Sequence, residues 1–188
     1  FSPNSQWVAT ASLNNTAILW QIKENQLVSM ATIQHQAGVN AVAFSPDGQS
    51  LLTASYDGQM GWFNLDTQKT QFYPLYQTDM NSVVWDANGS YVLTANDNQT
   101  YLWQWPDLHQ MSKPKPIDSY PFTQETTWWA ALSPNAQQVA TVGRYFVVNV
   151  YPRREGEEPY ALQGHKDTVI RAIFSPDGEQ LATVGGDN

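Results

Sequence analysis

Phe44-Ser45-Pro46-Asp47-Gly48 is followed closely by Leu51-Leu52-Thr53-Ala54-Ser55, and this coupling of a turn to a short apolar run decides the fold. Proline presets φ, the aspartate side chain accepts from the backbone beyond it, and glycine tolerates unusual backbone angles, which together make a tight turn. The turn recurs as Phe1-Ser2-Pro3-Asn4, Trp85-Asp86-Ala87-Asn88, Leu132-Ser133-Pro134-Asn135 and Phe174-Ser175-Pro176-Asp177, at offsets of 43, 41, 47 and 42 residues. Alternating runs follow it: Trp7-Val8-Ala9-Thr10, Tyr91-Val92-Leu93-Thr94, Val139-Ala140-Thr141-Val142 and Leu181-Ala182-Thr183-Val184. A second run ends at Leu19-Trp20, Trp62-Phe63, Leu102-Trp103 and Val148-Asn149. Short segments rich in Val, Thr, Tyr and Trp, bounded by Gly or Asn, are the strands of an antiparallel meander. No window sustains a 3.6-residue apolar stripe over ten positions, so the chain reads as all-β.

Composition removes several classes of function. The 188 residues suit one domain, or one and a fraction. Lys and Arg total 9 against 17 Asp and Glu, a net charge of -8, which argues against a nucleic-acid partner because phosphates need a basic face. Charged residues make up 14% and aromatics 13%, the balance of a chain that folds. The absence of cysteine excludes disulfides and every Cys-ligated metal site. No apolar run approaches the roughly 20 residues needed to cross a bilayer, so no membrane contact is expected. Phosphate-loop, dinucleotide, nucleophile-elbow and zinc-protease signatures are all missing, and no cofactor is expected.

A period of 40–47 residues with four strands per unit resembles the WD40 family of β-propellers. Copy two carries Gln34-His35, Val39 through Gly48, and Ser55-Tyr56-Asp57-Gly58; copy five carries Gly164-His165, Phe174 through Gly178, and Asp187. Departures are visible: Gln follows Trp20 and Trp103, Phe63 replaces Trp, Asn149 stands there in copy four, and Tyr76 and Thr123 take the His position. The resemblance implies one partial propeller over residues 1–188, with repeats at 1–33, 34–75, 76–122, 123–163 and an incomplete 164–188. About four blades of a seven-bladed ring are expected, as an arc of a larger signalling or regulatory protein, fused to a signalling domain and cytoplasmic.

In that family a His, a Ser, an Asp and a Trp staple each blade. Carried over, the network is His35, Ser55, Asp57 and Phe63 in copy two, and His165 and Asp187, with Gly185 at the Ser place, in copy five. A His–Asp general base or a metal site is the functional alternative. His109 lies in a polar loop and reads as solvated, while the turn residues Asp47, Asp177, Asn4, Asn88 and Asn135 read as turn formers before calcium ligands. The stretch from Trp105 to Pro121, with Lys113-Pro114-Lys115-Pro116 inside it, reads equally as a partner contact or a tolerated insertion.

The resemblance also places a partner-binding top rim at Leu13 in copy one, Gly38, Asn40 and Tyr56 in copy two, and Asp79, Asn81 and Asp97 in copy three. Copy four contributes Thr126, Trp128 and Arg144; copy five contributes Thr168, Ile170 and Gly186. Trp128 and Tyr56 are hot-spot residue types, although Trp128 could equally fill the core, as Trp129 is expected to. The function implied is a non-enzymatic scaffold that binds a protein or peptide, with an acidic surface favouring basic contacts. The rival is a propeller that gates substrate or holds a metal for a hydrolase.

Overall fold

The computed structural model describes residues 1–24, 26–105, 114–121, 127–144 and 146–187. His109, Thr123, Thr126 and most of the long connection after Trp105 lie outside the described residues. Among the described residues the strands sort into five sheets, each joining strands consecutive in the chain. The first holds β1 (Trp7–Ser12), β2 (Thr16–Lys23) and β3 (Gln26–Gln34), and the second β4 (Val39–Phe44), β5 (Ser50–Ser55), β6 (Gln59–Asn64) and β7 (Lys69–Pro74). The third holds β8 (Met80–Trp85), β9 (Tyr91–Asn96), β10 (Gln99–Gln104) and β11 (Asp118–Pro121). The fourth holds β12 (Thr127–Leu132), β13 (Gln138–Gly143), β14 (Val147–Pro152) and β15 (Tyr160–Gln163), and the last β16 (Val169–Phe174) and β17 (Leu181–Gly185).

The chain forms two compact units, Phe1–Val83 and Val84–Asn188. In the first unit, Ala17, Leu19 and Ile33 of the first sheet meet Val39, Leu51 and Phe63 of the second, with Trp7, Ala9 and Phe44 packed around them. The period-two register explains the choice. Ala9 stands opposite Leu19 and Ala11 opposite Ala17, so these positions form one apolar face, bordered by Gln21 opposite Trp7. In the second unit the sheet β12–β15 is buried on both faces. Ala130, Leu132 and Val139 pack against Leu93, Ala95 and Leu102, while Ala131, Ala140 and Val142 pack against Val169 and Ala172. Both parities must then be apolar, which is why Val139-Ala140-Thr141-Val142 carries one hydroxyl and no charge.

The recurring turn has one hydrogen-bond pattern. Ser45 Oγ donates to Asp47 Oδ1 at 2.5 Å and accepts from Ser50 N–H at 2.9 Å, and Gly48 N–H donates to the Ser45 carbonyl at 2.9 Å. Ser2 and Ser133 repeat the first bond to Asn4 at 2.7 Å and to Asn135 at 2.9 Å, so the amide serves where the carboxylate is absent. The next residue is left-handed in every copy: Gly48 at φ 72°, Gly89 at 70° and Gly178 at 76°, but Ser5 at 57° and Ala136 at 54°.

Two substitutions test this backbone account by thermal or denaturant melting. Ser5→Gly, at an exposed turn, is expected to stabilise by about 1 kcal/mol through relief of the left-handed penalty. Gly58→Ala is expected to destabilise by about 2 kcal/mol or more. It combines φ 77° with a Cβ that would run into the Tyr76 carbonyl oxygen, where Leu75 and Tyr76 N–H already converge on the Gly58 carbonyl.

Candidate interaction surface

A buried polar network frames the loops of the second sheet. Asp57 Oδ2 accepts from His35 Nδ1 at 3.1 Å and from Gln36 N–H at 2.9 Å, while Oδ1 accepts from Gln59 N–H at 2.9 Å. His35 Nε2 lies 2.7 Å from Thr53 Oγ1. A carboxylate can only accept, so Nδ1 carries the imidazole proton and Nε2 accepts from the threonine hydroxyl. The hydroxyl member is therefore Thr53, and the expected Ser55 is corrected. Ser55 Oγ instead donates to the Ala37 carbonyl at 3.1 Å and accepts from Asp57 N–H at 3.2 Å. Phe63 adds no hydrogen bond and is buried in the apolar cluster.

Gly61 was not singled out by sequence reasoning, yet a side chain there would strike Thr53 Oγ1 and His35 Nε2, and the Phe72 ring closes the site edge-on, 4.9 Å from the imidazole. Copy five repeats the arrangement, with His165 Nδ1 to Asp187 Oδ1 at 2.7 Å and Nε2 to Thr183 Oγ1 at 2.8 Å. Gly185 is required there, since a Cβ would come 2.6 Å from Asp187 Oδ1.

Where no histidine reaches in, tryptophan takes the hydroxyl. Trp20 Nε1 donates to Thr10 Oγ1 at 2.9 Å and Trp103 Nε1 to Thr94 Oγ1 at 2.8 Å. In copy four, Tyr151 holds the tryptophan place, not Asn149. Val139 pairs with Tyr151 as Leu51 pairs with Phe63, and Asn149 stands opposite Thr141 itself. Burial pushes the Tyr151 phenol pKa up, with Thr141 pulling against it.

Three strands, each within its own sheet, break register just after their first residue. Val39 and Ala41 face Ser55 and Ala54, so Asn40 is the extra residue; Trp128 and Ile170 are its counterparts in β12 and β16. A bulge leaves such a residue unpaired and re-aims its side chain. Trp128 is 41% exposed and Ile170 45%, while half-buried Asn40 donates its Nδ2 to the Asn81 carbonyl at 2.9 Å.

In the first unit, Leu13 (72% exposed) and Tyr56 (36% exposed) meet over Gly38, where an added Cβ would lie 3.1 and 3.2 Å from their Cδ2 atoms. Tyr56 N–H donates to the Gly38 carbonyl at 2.9 Å. Gly38 and Asn81, expected at the surface, are buried and form its floor; Asp79 is exposed. In the second unit, Thr127 N–H donates to the carbonyl of half-buried Asp97 at 2.8 Å, and Gly186 N–H to the Thr168 carbonyl at 2.9 Å. Thr168 Oγ1 reaches the carbonyl of exposed Arg144 at 3.4 Å. Trp129 packs on the core with the Arg171 guanidinium 4.4 Å above its ring, so the two tryptophans divide between core and surface. Among the described residues no group of three or more His, Asp or Glu stands together as a metal site requires.

Burial holds the His35 pKa below its ordinary value despite the upward pull of Asp57. Burial would raise Asp57, but the N–H groups of Gln36 and Gln59, with His35, outweigh it and the carboxyl lies below its ordinary range. The folded chain thus binds fewer protons at both groups than the unfolded one, and acid must destabilise it. The His35 share is lost as pH falls below 6.5 and through the lowered folded pKa; the Asp57 share is lost only below 3.8. Melting temperature against pH is expected to slope downward just below pH 6.5 in the parent and to flatten there in His35→Gln. Thr53→Val, which strands the buried Nε2, is expected to cost about 1–3 kcal/mol at neutral pH.

Comparison with known proteins matches the model of the WD domain, G-beta repeat, at residues 1–21, 27–63, 68–104 and 156–188. The unmatched interval 105–155 contains β11 to β14; Tyr151 of β14 stands at the tryptophan place, yet the sheet of β12 to β15 still forms. The chain is 23% identical to Protein HIR1 of Candida albicans over 97% of its own length and 23% of that protein. It is 25% identical to Periodic tryptophan protein 2 of Arabidopsis thaliana, over 97% of the chain and 20% of that protein. It is 26% identical to Histone-binding protein MSI1 of Saccharomyces cerevisiae, over 54% of the chain and 25% of that protein. The chain thus spans about a quarter or less of the length of these relatives. With repeats in phase, a shared turn and a shared His–Asp staple, the chain belongs to the WD40 (WD domain, G-beta repeat) family, whose repeats are the blades of a β-propeller.

Proposed function

We propose that the chain is a non-enzymatic interaction module that holds a protein or peptide, each unit offering its own contact residues at and beside its strand bulges. The observation that carries this reading is the recurrence of one irregularity with changing contents. The same bulge presents Asn40, Trp128 and Ile170. Exposed Trp and Tyr on a rigid frame are the residue types that dominate interface energetics. The His–Asp pairs are poor candidates for general bases, because both nitrogens of each imidazole are already engaged and the His35 side chain is fully buried. One relative, MSI1, is by name a histone-binding protein, which supports a protein as the class of partner.

The test is quantitative recovery of partner protein from native lysate by the immobilised chain, comparing parent, Trp128→Ala and Tyr56→Ala. Each truncation is expected to lower recovery about tenfold. Undiminished recovery by both variants would remove the proposed contact residues of both units.

A further inference from the structure

Resting on that reading of the sheet ends, we propose that the surface made by Leu13, Tyr56 and Asp79 takes a partner segment presenting an aliphatic side chain beside a lysine or arginine. Leu13 comes from the β1–β2 turn and Tyr56 from the β5–β6 turn, so two sheets contribute to one apolar pair. Their meeting over Gly38 brings them together on a floor of backbone, and both are exposed to solvent. Asn40, the bulged residue beside them, is tied through its amide to the Asn81 carbonyl, two residues beyond exposed Asp79. The floor therefore continues from the apolar pair to the strand that follows the carboxylate.

Strand direction sorts the charges of this unit. β2 and β6 both begin at the Leu13–Tyr56 end; β2 finishes at Lys23, and β6 at Asn64, opposite Lys69. These lysines are the only Lys or Arg between residues 1 and 83, and both stand at the far end of their sheets. Glu24, Asp47 and Asp66 lie at that far end as well. The near end holds Asp57 and Asp79, neither of which pairs with a lysine or arginine among the described residues, and Asp57 is occupied by His35 and two backbone N–H groups. Asp79 is left as the outward charge. A lysine or arginine stem can lie on the Tyr56 ring while its head meets a carboxylate, and a neighbouring aliphatic group can pack on Leu13. The second unit does not share this chemistry: Arg144 stands at the place of Tyr56 and Lys166 at the place of Gln36.

The experiment titrates the full chain into a fluorescein-labelled peptide of alternating leucine and lysine, read by anisotropy. Matched peptides carry glutamate for lysine or serine for leucine. The leucine–lysine peptide is expected to bind at least about tenfold tighter than either control, and Leu13→Ser and Tyr56→Ala to weaken it about tenfold. Asp79→Asn is expected to weaken it about threefold at low salt and less at high salt, whereas Asp66→Asn at the far end leaves it unchanged. Absence of binding, equal binding of the glutamate peptide, or equal loss in Asp66→Asn and Asp79→Asn would each overturn the proposal. Lysate recovery separates it from the broader reading. Loss with Trp128→Ala alone overturns this site and keeps the interaction module, while no loss in any variant removes both.

Discussion

A threonine hydroxyl in the second strand of each repeat has to find a hydrogen-bond partner, and much of the loop architecture answers that demand. Thr53 and Thr94 have no solvent exposure, and a hydroxyl left unpaired in such a place costs more than the bond itself contributes; Thr141, equally buried, receives neither histidine nor tryptophan. Tryptophan supplies the bond to Thr10 and Thr94 from the neighbouring strand. In copies two and five a histidine supplies it from the loop before the first strand, and that histidine is then held by an aspartate that follows the second strand. One requirement in the sheet interior thereby positions two loops at its end.

Those loops and the bulges beside them carry the residues that face outward. Tyr56 sits in one of those loops between Ser55 and Asp57, and that aspartate is held by His35 and by the N–H groups of Gln36 and Gln59. Rigid display of this kind lowers the ordering cost of binding, which is the usual advantage of a repeat scaffold over a flexible loop. The same network makes the frame acid-sensitive: a buried histidine held neutral resists protonation only as long as the fold survives.

Much of this was legible in the residues. The Ser-Pro-Asp-Gly turns, the repeat period and the alternation of each run pointed to the sheets, and the 22-residue spacing of His35 and Asp57 recurs in His165 and Asp187. Less legible was which hydroxyl completes the pair. Thr53 and Ser55 sit on the same face of β5, and only the position of the imidazole between the sheets selects the first. Asn149 was misplaced for a related reason. Counting from the turn does not reveal that β14 pairs two residues further along, with Tyr151 opposite Val139.

What the sequence determined by itself was local: turn chemistry, strand length and repeat period follow from backbone preferences and the two-residue pleat, which act over a few neighbours. What only the tertiary structure decided was parity. At the bulge in β12, Thr127 and Trp129 face consecutive residues of β13, so two positions of equal parity in the chain point to opposite sides. The division of Trp128 to solvent and Trp129 to the core under Arg171 depends on that slip, and no count along the chain can register it.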